Sequence, residues 1–216
     1  MTVENHRQSR REFLRAMLLA TPAVALVPGV IQASAPRIAP VTDLRFLTEA
    51  MAVRRRHEWT SIKPNPRRLR AASPNLYTRI TLHHTGTDVI TATSEPAVIR
   101  CLDGVLGGHL NRNFGDIGYH FLIDYAGRVW EGRSLAYWGA HVSGENEQNI
   151  GIVLLGNYER QRPSNPQLNT MTHLVHVLRH RYGVRRGRIY GHIDLGRTLC
   201  PGKYLYPGVQ RLNELA

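Results

Sequence analysis

The sequence predicts an α/β fold, a single domain with a central mixed β-sheet flanked by helices. Short β-branched and apolar runs alternate with longer stretches of helical periodicity. Residues 150–155 form a continuous apolar run, as a central strand buried on both faces would. Apolar residues make up 42% of the 216, enough for one sizeable core.

Residues 36–76 are rich in Pro and Arg and read as an N-terminal extension wrapping a domain of residues 77–216. Within the extension, 42–56 suits a short helix capped by Thr42, with Leu44, Leu47 and Met51 on one face. Pro64, Pro66 and Pro74 break the remainder of the extension. Ile80, Thr81 and Leu82 start a strand that delivers His83. Ser94 or Thr93 caps a helix with Pro96 in its first turn and Val98, Leu102, Val105 and Leu106 as its apolar stripe. A second strand spans 117–123, and the turn Asp124-Tyr125-Ala126-Gly127 returns it as a hairpin over 128–131. Asn165-Pro166 opens a helix over 168–182, closed by Gly183. Ile189 and Tyr190 form a short strand that delivers His192.

The first 35 residues read as an export signal rather than fold. Arg10-Arg11-Glu12-Phe13-Leu14 precedes an apolar run over 16–30, and Ala33-Ser34-Ala35 comes after it, with small residues where a signal peptidase reads. The paired arginines are similar to the twin-arginine signal, which places the protein outside the cytoplasm, periplasmic or secreted. Pro22, Pro28 and Gly29 interrupt the run, so no stable membrane span is expected. A formal net charge of +12 points to an anionic partner. Aromatics are only 7%, and no stacking motif at fixed spacing is present, which argues against nucleic acid. The chain is expected to be a monomer.

Three residues carry candidate chemistry. His83 ends one strand, His192 ends another, and Cys200 sits in the turn Thr198-Leu199-Cys200-Pro201-Gly202. Zinc takes imidazole nitrogen and thiolate, and catalytic sites use three protein ligands with a fourth place open. Among 11 histidines, spacing alone leaves this open. With two cysteines in an exported chain, a Cys101–Cys200 disulfide is the competing reading. His84 points to the opposite face of the strand from His83 and is a packing residue rather than a ligand. Cys101 reads as a small buried hydrophobe, and His173, His176 and His180 as a solvated helix face.

Taken together, Thr81-Leu82-His83-His84-Thr85, Gly118-Tyr119-His120-Phe121, Asn149-Ile150-Gly151-Ile152 and Gly191-His192-Ile193-Asp194 with Cys200-Pro201-Gly202 occur in the order of one known family. The chain resembles the N-acetylmuramoyl-L-alanine amidase type 2 family, which includes peptidoglycan recognition proteins. The resemblance runs from about Trp59 to Tyr206. It implies Zn2+ held by His83, His192 and Cys200, and peptidoglycan or muropeptides as partners. The reaction implied is hydrolysis of the amide between N-acetylmuramic acid and L-alanine. It also implies a catalytic role for Tyr119 and a lesser one for Thr198. A sister group carries Glu where this chain has Val153, so that acid–base residue is missing here. Arg133, Trp138, His141 and Asn146 are expected to line the substrate groove. A binding module that has lost its metal is the rival reading, and retention of Cys200 disfavours it.

Overall fold

The structure is a computed structural model and describes residues 44–73 and 76–215. The expected signal segment and the Thr42 cap lie outside them. The described part of the extension holds α1 (Arg45–Ala50), β1 (Val53–Arg54) and a 3-10 turn over Arg56–Glu58. The single helix expected over 42–56 is thus cut short. Met51 turns extended, and Val53 and Arg54 pair in parallel with Val129 and Trp130. Val53 is buried in that position, so tertiary pairing overrides a weak local helix preference.

The rest of the chain supplies β2 (Arg79–His84), α2 (Glu95–Asn111), β3 (Phe121–Ile123), β4 (Val129–Glu131), β5 (Asn149–Leu154), α3 (Asn165–Tyr182), β6 (Ile189–Gly191) and α4 (Tyr206–Leu215). The six strands form one mixed sheet in the order β1-β4-β3-β5-β2-β6. Only the β3–β4 hairpin is antiparallel. The buried Asp124 carboxylate braces that hairpin, accepting from Arg128 Nε at 2.6 Å and Trp130 Nε1 at 2.9 Å.

Strand periodicity divides the core in two. Ile80, Leu82, Ile150, Ile152 and Leu154 face Met171, Leu174 and Leu178 of α3 and Val209 and Leu212 of α4. Leu122, Trp130 and Val153 face the other way, against Val98, Leu102 and Leu106 of α2. Each such aliphatic side chain contributes about 1.5–3 kcal/mol by leaving water. Trp59 of the extension joins the second cluster and donates from Nε1 to Glu131 O at 2.8 Å, tying the extension to the hairpin. Helix α3 starts with a reciprocal cap: Ser164 Oγ accepts from Gln167 N, and Gln167 Oε1 accepts from Ser164 N. Helix α4 was not foreseen from the sequence, because Pro207-Gly208 disguises its start. The second strand is shorter than the expected 117–123 and begins at Phe121. Among the described residues no helix is long and apolar enough to cross a membrane.

Two buried histidines serve the backbone. His109 Nδ1 accepts from Gly118 N at 2.8 Å. His120 Nδ1 accepts from Gly151 N at 3.0 Å, while its Nε2 donates to Tyr137 O at 3.0 Å. Both rings must therefore be neutral. Burial lowers each pKa to about 4, with Arg112 and Arg133 adding to the effect at His109 and Arg133 at His120. Unfolding restores an ordinary imidazole, so the unfolded chain binds more protons between about pH 6.5 and pH 4. Stability should be full above pH 6.5 and fall as the pH drops through that window. Urea unfolding at pH 5 against pH 7.5 should show a loss on the order of 1–2 kcal/mol per histidine, and His120→Gln should flatten the slope.

Candidate metal centre and groove

Strand register builds the centre. β2 pairs in parallel with β6, and Leu82 stands opposite Gly191. The next residue in each segment is a histidine, His83 within β2 and His192 just past the end of β6, so the two lie side by side. Their rings lie 4.9 Å apart between centroids. Cys200 returns to the same point through a loop pinned at several places. Its N–H donates to Thr198 Oγ1 at 3.1 Å, and its carbonyl accepts from Ile193 N at 2.7 Å, joining the loop to the turn after His192. Its Sγ accepts from His84 N at 3.4 Å. Gly202 (φ 92°) lets the loop pass close to Tyr158 and Glu159, where a β-carbon would sit 2.8 Å from Glu159 N.

The donor atoms of His83, His192 and Cys200 lie within 4.8 Å of one another. His83 Nδ1 is 3.6 Å from Cys200 Sγ. In a zinc tetrahedron with Zn–N and Zn–S bonds of ordinary length, that edge is about 3.5 Å. The donor set and its spacing therefore fit zinc. The electrostatics agree: burial holds His83 well below the ordinary imidazole range, with His141 and His192 adding to the effect, and burial also lowers His192. Burial thus favours the neutral form of both rings, the form a metal would need. Burial pushes the Cys200 thiol up to about 12, opposed by the hydrogen bond from His84. In that pocket a thiolate needs a cation beside it.

His84 lies apart from the cluster. Its Nδ1 accepts from Tyr158 N at 3.1 Å on the opposite face of β2. Val153, register partner of His83, is fully buried, so no carboxylate stands in that place. Cys101 and Cys200 are both free thiols, and the disulfide reading is set aside.

A groove surrounds the centre. A cavity of about 440 Å³ is lined by His109, Arg112, Tyr119, His141, Asn146 and His192. A second, of about 650 Å³, shares His109, Arg112 and Tyr119 and continues past Ile90, Cys101 and Val105. Tyr119 stands where the two meet, its ring centroid 5.1 Å from that of His83. Burial raises its phenol above the ordinary range, so it stays protonated. Cys101, expected as a buried hydrophobe, is instead half-buried on the groove wall.

The expected groove residues separate. Asn146 lines the smaller cavity, and its Oδ1 also accepts from the N–H groups of His141 and Val142 at 2.9 Å each. His141 lines it too, but is 8% exposed and pressed against His83. Arg133 does not reach the groove. Its buried guanidinium donates to the carbonyls of Ile117, Trp138, Phe114 and Asp116, so a substrate carboxylate would find no free donor face there. Trp138 also lies outside both cavities and stacks under the guanidinium of Arg70 at 4.1 Å. Thr198 braces Cys200 N and lines neither cavity. His109 and Arg112 were missed as groove residues. Their signal was position, at the end of a helix just ahead of the Tyr119 motif.

A mixed sheet with two histidines at the ends of adjacent parallel strands, and a cysteine brought beside them by a loop, defines a class of α/β proteins with a candidate metal centre. Residues 73–203 match the N-acetylmuramoyl-L-alanine amidase family, and the chain belongs to it. It is 32% identical over 142 residues to a peptidoglycan recognition protein of Trichoplusia ni, covering 62% of this chain and 74% of that one. It is 36% identical over 97 residues to the N-acetylmuramoyl-L-alanine amidase of Homo sapiens, covering 44% of this chain and 17% of that protein. The crystal structure of tracheal cytotoxin bound to the ectodomains of peptidoglycan recognition proteins LCa and LCx superposes with a TM-score of 0.66 at 29% identity. That alignment covers 74% of this chain and 96% of that one.

Arg133 offers a test of scaffold against groove. Replacing it with Met leaves four inward carbonyls without a donor and should cost about 3–5 kcal/mol of stability, read by urea or thermal unfolding. A groove role would instead appear as lost muropeptide affinity at unchanged stability.

Proposed function

We propose that this chain is a zinc-dependent peptidoglycan amidase, hydrolysing the amide that joins the lactyl group of N-acetylmuramic acid to L-alanine of the stem peptide. The observation that carries this reading is the His83, His192 and Cys200 cluster, whose donor atoms lie within 4.8 Å of one another beside an open groove. Family membership and the amidase among the relatives support it. His83 and His192 would hold the ion through neutral imidazoles, and Cys200 as a thiolate that gives up its proton when the ion arrives. Bound zinc would supply Lewis acidity toward water and the scissile carbonyl.

The remaining work falls to the chain's own groups. Tyr119, protonated and lining the groove, donates a hydrogen bond to the oxygen of the attacked carbonyl as it gains charge. Thr198 contributes by fixing the Cys200 loop. His109 and Asn146 bound the place where the muramyl and peptide parts lie, and Arg112 offers a cation to a stem-peptide carboxylate. The signal-like residues 1–35 support export to the periplasm or beyond. Binding without hydrolysis is the second reading, favoured by the recognition proteins among the relatives.

Metal analysis of the purified protein, followed by mass spectrometry of defined muropeptides after incubation, decides between the two. The amidase should release free stem peptide; a binding module would bind muropeptide and leave it intact. Cys200→Ser should lose zinc and lower peptide release by at least about 100-fold. Tyr119→Phe should keep zinc, leave KM nearly unchanged and lower kcat by about 10²–10³-fold.

A further inference from the structure

We infer that His141 is a positioning residue that fixes the ring of His83 in the one tautomer able to bind the metal. This deepens the zinc reading above and rests on it.

Three contacts run in series from the backbone to the cluster. His141 Nε2 lies 3.2 Å from Asn149 O. A carbonyl only accepts, so that nitrogen carries the proton. In a neutral imidazole the other nitrogen is then a bare acceptor, and His141 Nδ1 lies 3.0 Å from His83 Nε2. His83 must donate there, so its own proton sits on Nε2. Its Nδ1 is left as a lone pair, and that atom faces Cys200 Sγ at 3.6 Å. A backbone carbonyl at the start of β5 thus sets the protonation pattern of a ligand on β2, through one intervening ring. An imidazole ligand whose second nitrogen donates to an acceptor is held in orientation and made more basic.

The fold builds a slot for this ring. A β-carbon on Gly151 would lie 2.7 Å from His141 Cγ and from its Nε2. One on Gly139 would lie 2.6 Å from the same Nε2. Two glycines, one on β5 and one in the loop before His141, leave the volume that the ring occupies. His141 is only 8% exposed, so water competes little with either partner. Gly151 in the run Asn149-Ile150-Gly151-Ile152 is therefore there for the ring, since a strand interior otherwise disfavours glycine.

The test uses zinc affinity of the full chain, measured against a chromophoric chelator at pH 7.5, with no activity readout. His141→Asn places a carbonyl oxygen where Nδ1 was and should stay within a few-fold of wild type. His141→Gln sends its polar end toward Asn149, leaves His83 without an acceptor and should bind zinc about 10–100-fold more weakly. Gly151→Ala keeps every donor atom but displaces the ring, and should also weaken binding. Long-range 1H–15N spectra of the metal-free protein give an independent readout. Wild type and His141→Asn should show His83 protonated on Nε2 alone, and His141→Gln a mixture. Equal zinc affinity in the Asn and Gln variants overturns the inference while leaving the zinc site intact. Wild type that fails to bind zinc overturns both. If a variant melts far below wild type, the tautomer of His83 in wild type decides: a proton on Nδ1 overturns the inference.

Discussion

The parallel pairing of β2 with β6 is the constraint on which the site depends. Leu82 opposite Gly191 fixes the next residue of each strand at the same height and on the same side of the sheet. Two imidazoles separated by more than a hundred residues become neighbours with no side-chain contact needed to bring them there. A shift of one residue in that register would send one ring into the opposite core, among Leu82, Ile152 and Leu154. Burial of Ile80, Leu82 and Ile189 on that opposite face holds the register.

Placement alone does not make a ligand. An imidazole ring can also carry its proton on the wrong nitrogen, or bind a second proton. Burial disposes of the second problem for His83 and His192, since a charged ring is costly away from water. The same burial works against Cys200, whose sulfur would have to become anionic to hold a metal. A cation and the thiolate would thus depend on each other, and the hydrogen bond from His84 N to Sγ would give the anion partial support. The His-His pair on β2 divides its labour by strand geometry. One ring faces His192 and Cys200; the other holds the backbone at Tyr158, next to the loop that carries the cysteine.

Much of this was legible in the sequence, for physical reasons that can be named. Strands 80–83 and 150–155 showed themselves by apolar content, and alternation alone separated His83 from His84. The Cys-Pro-Gly turn marked a loop able to reach a strand end. What stayed hidden depends on the main chain. Arg133 reads as a free cation in a loop, yet its partners are four backbone carbonyls that leave no trace in residue type. His141 reads as a groove residue because nothing in its neighbourhood announces that Gly139 and Gly151 clear a slot for it. Val53 pairs as an edge strand only because β4 offers a ladder at Val129, far along the chain. Helix α4 hides behind a Pro-Gly pair that usually marks a turn.

The outer border of β6 has a consequence of its own. The outward amide of Ile189 is satisfied by Asn213 Oδ1 at 2.9 Å, and that of Gly191 by Asp194 Oδ2 at 2.7 Å. Side chains from α4 and from the turn after His192 thus stand in for a seventh strand. At the other border, β1 offers only two residues. Among the described residues, neither margin presents a long free row of donors, so a visiting extended peptide finds little to zip onto. A chain trimmed ahead of Asn213 would lose that protection on one side, and its bared amide would become a foothold for self-association.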